Sequence, residues 1–350
     1  MGTILSYKPE TKGKGKPSYT VHLPFVLSPG RTIKKEEAER TFRCSGYQFK
    51  LLGDRKHYIL KIFGFSTEEE AKKGFNKARA SLFWFGINNF VGIDVSADLK
   101  GVNLASSPVA ISDKEKELYK DKGWDFIEGN FIGTNPTILP EHKKIVGFYP
   151  GSVTVTGDFN FSVFKASIID AFSKNNAGEP LGDKKLRLAF EVFLSSHFEL
   201  GYKPKFILGI TTLEILIEEE QVSKPALNLI SKFLEGIKES EVGFKKNKKV
   251  AKDLASLRGG LRGLRKKSIK QRIEKLVGEN IIGDERVLDP LGFAKKISSL
   301  YQYRSNLLHL GVLDPNLKKD DNERLLVQSN DLLQKANSSI LKNLFLKAAE

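Results

Sequence analysis

Residues 301–311 form the sequence Tyr301-Gln302-Tyr303-Arg304-Ser305-Asn306-Leu307-Leu308-His309-Leu310-Gly311. A helix over this region is predicted to begin after Asp289, because an N-cap residue is followed there by Pro290, and to close at Gly311. Apolar residues recur along it at the 3.6-residue period of a helix, at Ala294, Ile297, Tyr301 and Leu308. The pattern predicts an amphipathic helix with one arginine on its apolar side.

Arg304 is the unusual residue of this predicted helix. Its neighbours three and four positions away are Leu300, Tyr301, Leu307 and Leu308. Because an unpaired charge among apolar side chains is costly, we expect Arg304 to be paired, or to meet a partner chain or an anionic ligand. His309 lies about 140° further round the helix, so it cannot share the stripe of Arg304. Its polar neighbours Ser305 and Asn306 can fix the imidazole tautomer.

The first part of the chain has strand and turn signals around one strong helix. The predicted strands are residues 19–25, 46–52, 57–63, 91–95, 145–148 and 152–156. The helix is predicted to begin at a capping box of Ser66 and Glu69 and to end at Gly86, and residues 136–142 are predicted to be a loop. These signals predict a β-sheet with a helix packed on it.

After Gly157 the apolar residues recur at helical spacing. The predicted helices cover residues 161–172, the region of 188–193, the segment starting at Pro204, residues 225–237, the segment starting near Ile269, and residues 324–347. A capping box of Ser268 and Gln271 sets the start at Ile269, whereas residues 257–267 contain three glycines and are predicted to be a weakened helix. We predict an α+β protein with a β-rich domain over residues 1–156, which contains one long helix, and an all-α domain over residues 157–350.

Composition indicates a globular protein without membrane spans. The chain has 350 residues, of which 40% are hydrophobic and 10% aromatic, and no apolar run reaches the roughly 18 residues of a membrane helix. The single cysteine, Cys44, excludes an intrachain disulfide, and residues 1–6 lack the pattern of a secretion signal. The cytoplasm is therefore the expected location.

Positive charge is concentrated in one segment. The net charge is +15, and residues 245–275 hold 13 Lys or Arg but only Asp253 and Glu274 as acids. Such a segment attracts polyanions, of which nucleic acid is the commonest in cytosol, although a solvated basic loop is the alternative. Histidines are scattered and the chain has one cysteine, so no zinc site is expected; no phosphate-binding or dinucleotide motif occurs either. We expect no metal and no cofactor.

The Arg-x4-His pattern at Arg304 and His309, with Tyr301 three residues upstream, resembles the signature of the HEPN superfamily, specifically its Apea-like branch. Residues 186–191 and 205–216 are similar to the paired helices of that family, with its Leu-Glu-x-Leu element at 213–216. Residues 256–269 resemble its basic Leu-x-x-Leu-Arg-x-x-Ser-Ile passage. The three elements occur in the family's order, and the resemblance covers about residues 160–345.

The resemblance implies a homodimeric, metal-independent endoribonuclease. His309 would relay protons, Arg304 would stabilise charge on the phosphate, and Ser305 and Asn306 would orient them, while Glu214 matches the acidic position and is the candidate partner of Arg304. The candidate dimer seam is Leu300, Tyr301, Leu307 and Leu308. The candidate RNA-binding residues are Arg258, Arg262, Arg265, Lys266 and Lys267. The family also implies a role in toxin or antiphage defence, with an antitoxin or a regulatory ligand as a further partner.

Two departures from the family pattern keep an alternative open. Ser305 follows the arginine where many relatives have Asn, and Leu310 separates His309 from the glycine. The alternative is a HEPN domain that has lost activity and serves as a dimerisation or RNA-binding module. In a third interpretation the N-terminal domain is a sensor that gates the nuclease.

Overall fold

The computed structural model describes residues 19–34, 41–54, 57–95, 130–132, 137–140, 145–147, 157–174, 176–244, 247–281 and 289–349. By contacts between Cα atoms, the chain forms two compact units. Unit 1 comprises residues 1–209 and 341–350, and unit 2 comprises residues 210–340. The division at residues 156/157, which rests on the change from strand to helix patterns, stays a prediction. The strand predicted at 152–156 lies outside the described residues.

Unit 1 is built on an antiparallel sheet. Its strands are β1 (Tyr19–Leu27), β3 (Thr41–Cys44), β4 (Tyr47–Asp54), β5 (His57–Phe65), β6 (Ile93–Asp94) and β8 (Thr137–Pro140). The order is β3-β4-β5-β1-β6, and β8 pairs with the first half of β1. Two further pairs are parallel: β2 (Arg31–Ile33) with β10 (Gly157–Phe159), and β7 (Asn130–Ile132) with β9 (Ile145–Gly147).

Phenylalanine side chains dominate the core of unit 1. Phe49 of β4 meets Phe172 edge to face at 4.9 Å between ring centroids, and Phe25 of β1 stacks on Phe164 at 6.0 Å. Phe164 and Phe172 belong to helix α2 (Phe161–Phe172), whose bounds are those predicted from its apolar spacing. Helix α1 (Glu68–Asn89) packs against α2 and against β1 and β5. Aromatic side chains of β1 and β4 therefore pack on α2, and Phe85 of α1 packs on Phe164 of the same helix.

The start of α1 differs by one residue from the sequence prediction. The N-cap is Thr67, whose hydroxyl accepts from the backbone N–H of Glu70 at 3.1 Å, and the Glu70 carboxylate accepts from Ser66 N at 2.7 Å. The predicted pair of Ser66 and Glu69 is therefore wrong. Tyr47 of β4 donates to Glu70 at 2.5 Å, and this contact from the sheet favours Glu70 over its acidic neighbours.

The remaining helices follow in chain order. They are α3 (Lys184–Ser196), α4 (Tyr202–Leu216), α5 (Lys224–Gly243), α6 (Lys248–Gly263), α7 (Ile269–Ile281), α8 (Pro290–Leu310) and α9 (Lys319–Ala349), with a short 3-10 helix at Glu179–Leu181 before α3. In unit 2, α7 packs against α8 and α5 packs against α6. The predicted α+β class is confirmed, since an antiparallel sheet is followed by helical structure.

One prediction about local structure was wrong. Residues 137–140, predicted to lie in a loop, form strand β8, in which Thr137 pairs with His22. The glycine-containing segment at 257–263 is helical and completes α6, and its predicted weakness stays a prediction. The capping box of Ser268 and Gln271 is confirmed, with Gln271 N donating to the Ser268 hydroxyl at 3.2 Å.

Candidate active site on helix α8

Helix α8 has the two ends that its sequence predicts. The Asp289 carboxylate accepts a hydrogen bond from Gly292 N at 2.9 Å, and Pro290 occupies the first turn. Gly311 ends the helix with φ 75°, a left-handed conformation that glycine adopts without a steric penalty. Its N–H donates to the carbonyl of Leu307 at 3.1 Å. Both ends of the helix that carries Arg304 and His309 are thus fixed by local chemistry.

One face of α8 is part of the core of unit 2. Ala294, Ile297, Leu300 and Leu307 are buried, and α7 packs against this helix. Leu300 and Leu307, two of the four candidate seam residues, are only 3% and 7% exposed within the single chain. Tyr301 is partly exposed and Leu308 is 52% exposed, so these two are the seam candidates that a partner can reach.

Arg304 lies beside the acidic residue expected as its partner. Its Nη2 atom is 3.4 Å from the Oε2 atom of Glu214 on α4, and the two side chains are 28% and 22% exposed. The Nε atom of Arg304 is buried and has no hydrogen-bond partner among the described residues. The guanidinium is thus held by one rather long contact, and part of its donor fork is unused.

His309 lies in the last turn of α8 and is exposed. Leu308 and Leu310 on either side of it are also exposed, at 52% and 58%. On a helix, five residues correspond to an axial rise of about 7.5 Å and a rotation of about 140°, so His309 and Arg304 face different directions within one chain. A single phosphate group cannot meet both side chains along one stripe of the helix.

Ser305 and Asn306 have separate surroundings. Ser305 is partly exposed, whereas Asn306 donates to the carbonyl of Leu313 at 2.7 Å and accepts from Gln302 at 3.4 Å. The first of these bonds ties the end of α8 to the turn that follows it. Asn306 therefore has a positioning role in the local structure.

The turn after α8 contains polar contacts that the sequence reasoning missed. Asn322 of α9 accepts from Asp314 N at 2.9 Å and donates to the carbonyls of Asp314 and Leu317 at 2.9 and 3.0 Å. The Asp314 carboxylate accepts from Asn316 N at 2.9 Å. These bonds fix the connection between α8 and α9, and the Asp-Pro-Asn turn at 314–316 was the available sequence signal.

Three of the five candidate RNA-binding residues are engaged by carboxylates. Arg258 contacts Glu241 at 2.6 Å, Lys266 contacts Glu219 at 2.7 Å and Lys267 contacts Glu220 at 2.7 Å. Lys275 also pairs with Glu220, and the hydrogen bonds from Lys267 and Lys275 lower the pKa of that carboxyl below its ordinary value. The basic segment is thus partly neutralised within the chain.

An extended pairing brings the acidic run after α4 to the basic segment. Val222 N donates to the carbonyl of Arg265 at 3.0 Å, and Lys267 N donates to the carbonyl of Glu220 at 2.8 Å. The run Glu218-Glu219-Glu220 is visible in the sequence, but its partners lie 47 to 55 residues further along the chain. Sequence spacing alone does not indicate this pairing.

Arg262 and Arg265 are the candidates that keep their charge available. Both side chains are exposed, and neither has an acidic partner among residues 247–281 or elsewhere in the described part of the chain. They lie at the end of α6 and just after it. Two exposed guanidinium groups in one turn of chain can hold two backbone phosphates without reading base sequence.

The described residues contain no cluster of three or more His, Cys, Asp or Glu side chains that could hold a metal ion. Among the same residues, no helix has the length and apolar character needed to cross a bilayer. No protein-family model, curated protein or solved structure matches this chain.

Proposed function

We propose that this protein is a metal-independent endoribonuclease of the HEPN type that acts as a homodimer in the cytoplasm. The observation that carries the proposal is the arrangement on α8: a partly exposed arginine with unused donors, an exposed histidine five residues later, and exposed leucines around that histidine. These groups lie on a helix whose two ends are capped.

A dimer would bring an arginine and a histidine to the same cleft, which one copy of α8 cannot do. Arg304 and His309 point in different directions on one helix, so two copies of α8 related by a two-fold axis would line a single cleft with both kinds of side chain. Exposed Leu308 and partly exposed Tyr301 would bury apolar surface in that interface. The size of the protein in solution tests this part of the proposal.

The reaction we propose is internal transesterification of RNA. The 2′-hydroxyl oxygen of a ribose attacks the adjacent phosphorus, and the bond from phosphorus to the 5′-oxygen breaks. His309 takes part in the proton transfer from the 2′-hydroxyl to the leaving 5′-oxygen, while Arg304 stabilises the charge on the phosphorane oxygens. The products are a 2′,3′-cyclic phosphate and a 5′-hydroxyl, and this chemistry balances without a metal ion. Arg262 and Arg265 would hold flanking phosphates.

Cleavage of labelled RNA in EDTA tests the activity. We expect the wild-type protein to cut RNA and to leave cyclic phosphate ends, and His309→Ala to lower the rate by about 10²–10⁴-fold, the range for loss of a general acid–base group. Arg304→Lys keeps the charge but loses the planar fork, and should lose about 10²-fold. Circular dichroism controls for folding. Cleavage that both variants retain at the wild-type rate contradicts the proposal.

The dimer is tested by Leu308→Asp, which places a carboxylate in the proposed interface. We expect the variant to have the mass of a monomer in light scattering and to lose cleavage, because each cleft needs both chains. Leu200→Asp is the control, since Leu200 is 88% exposed and lies in unit 1 outside the proposed interface. A wild-type protein that is monomeric at all concentrations would contradict the dimer.

The second candidate function is an inactive HEPN module that dimerises or binds RNA. The ion pair between Arg304 and Glu214 favours it, because a neutralised guanidinium stabilises a developing negative charge less. RNA binding by the wild type, His309→Ala and Arg304→Lys with equal affinity and without cleavage would support the module. A role in toxin or antiphage defence, with an antitoxin as partner, is part of the proposal and rests on the resemblance to the family.

A further inference from the structure

Two neighbouring rows of side chains on the central sheet of unit 1 differ in chemistry. Phe49, Ile62 and Val21 lie opposite one another on β4, β5 and β1, and Phe49 packs on Phe172 of α2. This row therefore faces α2. The next row of the same three strands must point to the other side, because successive side chains of a strand alternate between the faces.

That next row is basic. Lys50 of β4 lies opposite Lys61 of β5, and Lys61 lies opposite His22 of β1. Thr20 lies two residues before His22, and because β1 keeps a regular register with β8 over both residues, the two side chains point to the same face. Like charges directly opposite each other on neighbouring strands repel, so the positive charge of Lys50 makes a charged Lys61 less favourable.

Polar atoms in this row are buried without partners. Thr20 and His22 are only 3% and 2% exposed. Within the part of the chain that the structure describes, the Thr20 hydroxyl and the His22 Nδ1 atom have no hydrogen-bond partner. No acidic group is among the causes that shift the pKa of Lys61. Buried polar groups in folded proteins are nearly always satisfied by a hydrogen bond, an ion or a ligand. Two such atoms beside a lysine indicate a missing partner.

The electrostatics of the row indicate the sign of that partner. Burial, and secondarily the charge of Lys50, lowers the pKa of Lys61 to about 8. Burial and the charge of Lys61 lower the pKa of His22 well below its ordinary value. The site thus disfavours further positive charge, while it offers an ammonium group, a hydroxyl and an imidazole. These groups match the acceptors of a negatively charged group.

We propose that Thr20, His22 and Lys61 form a binding site for the oxyanion of a small ligand, a carboxylate or a phosphate group, on the face of the sheet opposite to α2. Lys61 supplies the charge, and the Thr20 hydroxyl and a His22 ring N–H donate to the anion oxygens. The site is in unit 1 and does not depend on the nuclease proposed for unit 2. It gives unit 1 a ligand-binding role.

Titration of the full chain with inorganic phosphate, and separately with acetate, tests the site. Binding is followed by calorimetry in chloride buffer at constant ionic strength, with Lys61→Met and Thr20→Val beside the wild type. We expect saturable binding by the wild type, and at least about tenfold weaker binding by Lys61→Met, since charge-assisted hydrogen bonds are the strong ones. The control is Lys72→Met, which removes an exposed lysine that pairs with Glu68 at 3.0 Å, and it should bind like the wild type.

The outcomes separate the sources of the anion. Binding of acetate alone identifies a carboxylate ligand, binding of phosphate alone identifies a phosphate ligand, and either supports the site. Thr20→Val has nearly the wild-type shape, so weaker binding by this variant shows an effect of the hydroxyl even if Lys61→Met folds poorly. The proposal is overturned if the wild type binds neither probe, or if Lys61→Met, Thr20→Val and Lys72→Met all bind as the wild type does.

Discussion

Glu214 determines how much of the positive charge of Arg304 helix α8 presents. Their contact of 3.4 Å is long for a charge-assisted hydrogen bond, and both side chains keep some exposure to water. A partly exposed ion pair contributes little to stability. The carboxylate therefore matters more for the electrostatics of the proposed cleft than for the fold.

Glu214→Gln should tighten RNA binding, because it removes the negative charge beside Arg304 and keeps the size of the side chain. We expect a gain of about two- to tenfold in affinity at low salt, which shrinks as salt is raised. Fluorescence anisotropy with labelled single-stranded RNA measures it. Glu235→Gln is the control, since Glu235 is exposed on α5 and changes the net charge equally. Equal affinities for the two variants would argue against RNA contact at Arg304.

At the level of secondary-structure elements, the sequence predicts the bounds of a helix best where residues of the helix and its caps set them. The bounds of α2 followed from its apolar spacing, and the ends of α8 followed from Asp289, Pro290 and Gly311. Strand β8 was missed because its hydrogen bonds go to β1, more than a hundred residues earlier, and no nearby turn indicates the pairing. The predicted cap of α1 was wrong by one residue, because the hydrogen bond from Tyr47 of β4 holds the carboxylate of Glu70 and not that of Glu69.

The residues of the candidate site were likewise predictable where the evidence is local. Arg304 and His309 follow from the sequence of α8 alone, and Glu214 follows from the resemblance to the family. The engagement of Lys266 and Lys267 by Glu219 and Glu220 could not, because it depends on an extended pairing between distant segments. Burial of Leu300 and Leu307 likewise depends on how the helices of unit 2 pack.

Helix α6 carries two glycines in its interior, and neither position requires a glycine for steric reasons. A Cβ atom added at Gly259 or Gly260 would meet no atom within 4 Å, and neither residue has a positive φ. Gly259→Ala and Gly260→Ala should each stabilise the helix by about 1 kcal/mol. Slower amide hydrogen exchange of α6 is the measurement.

Gly86→Ala in α1 is the opposing control for this prediction. A Cβ atom at Gly86 would lie 2.9 Å from the carbonyl oxygen of Val91 and 2.6 Å from Leu194, so we expect a lower unfolding temperature for this variant. Exchange in α6 that is unchanged or faster in both alanine variants of that helix would contradict the prediction.

For the whole molecule, we expect two buried histidines to make stability depend on pH. Burial, followed by the charges of Lys205 and Arg31, lowers the pKa of His197 to about 4, and its ring packs edge to face on Phe193 at 5.0 Å. In the unfolded chain the same imidazole takes up a proton near pH 6.5. The unfolded state therefore binds more protons between pH 6.5 and 4, and the free energy of unfolding falls as the pH falls through this window.

His197→Leu should remove part of this acid sensitivity, because leucine cannot take up a proton. Urea unfolding at pH 7 and at pH 4.5 gives the two free energies, and we expect their difference to be smaller in the variant by on the order of 2 kcal/mol. His22, whose pKa is also lowered, acts in the same direction in the wild type and in the variant. The same acid-induced loss in wild type and variant would contradict the assignment to His197.

Helices α5 and α6 have no buried residue, and even their apolar side chains Phe233 and Leu257 are more than half exposed. Separating such a hairpin from its surroundings sacrifices little apolar contact, so we expect its peptide bonds to be the first that a dilute protease such as trypsin cuts under native conditions. Arg262 lies in the last turn of this hairpin, and Arg265 follows directly after it. We expect Arg262 to change position with the helix when a polyanion binds, while the cores of both units stay intact, whereas the backbone of Arg265 is held by Val222.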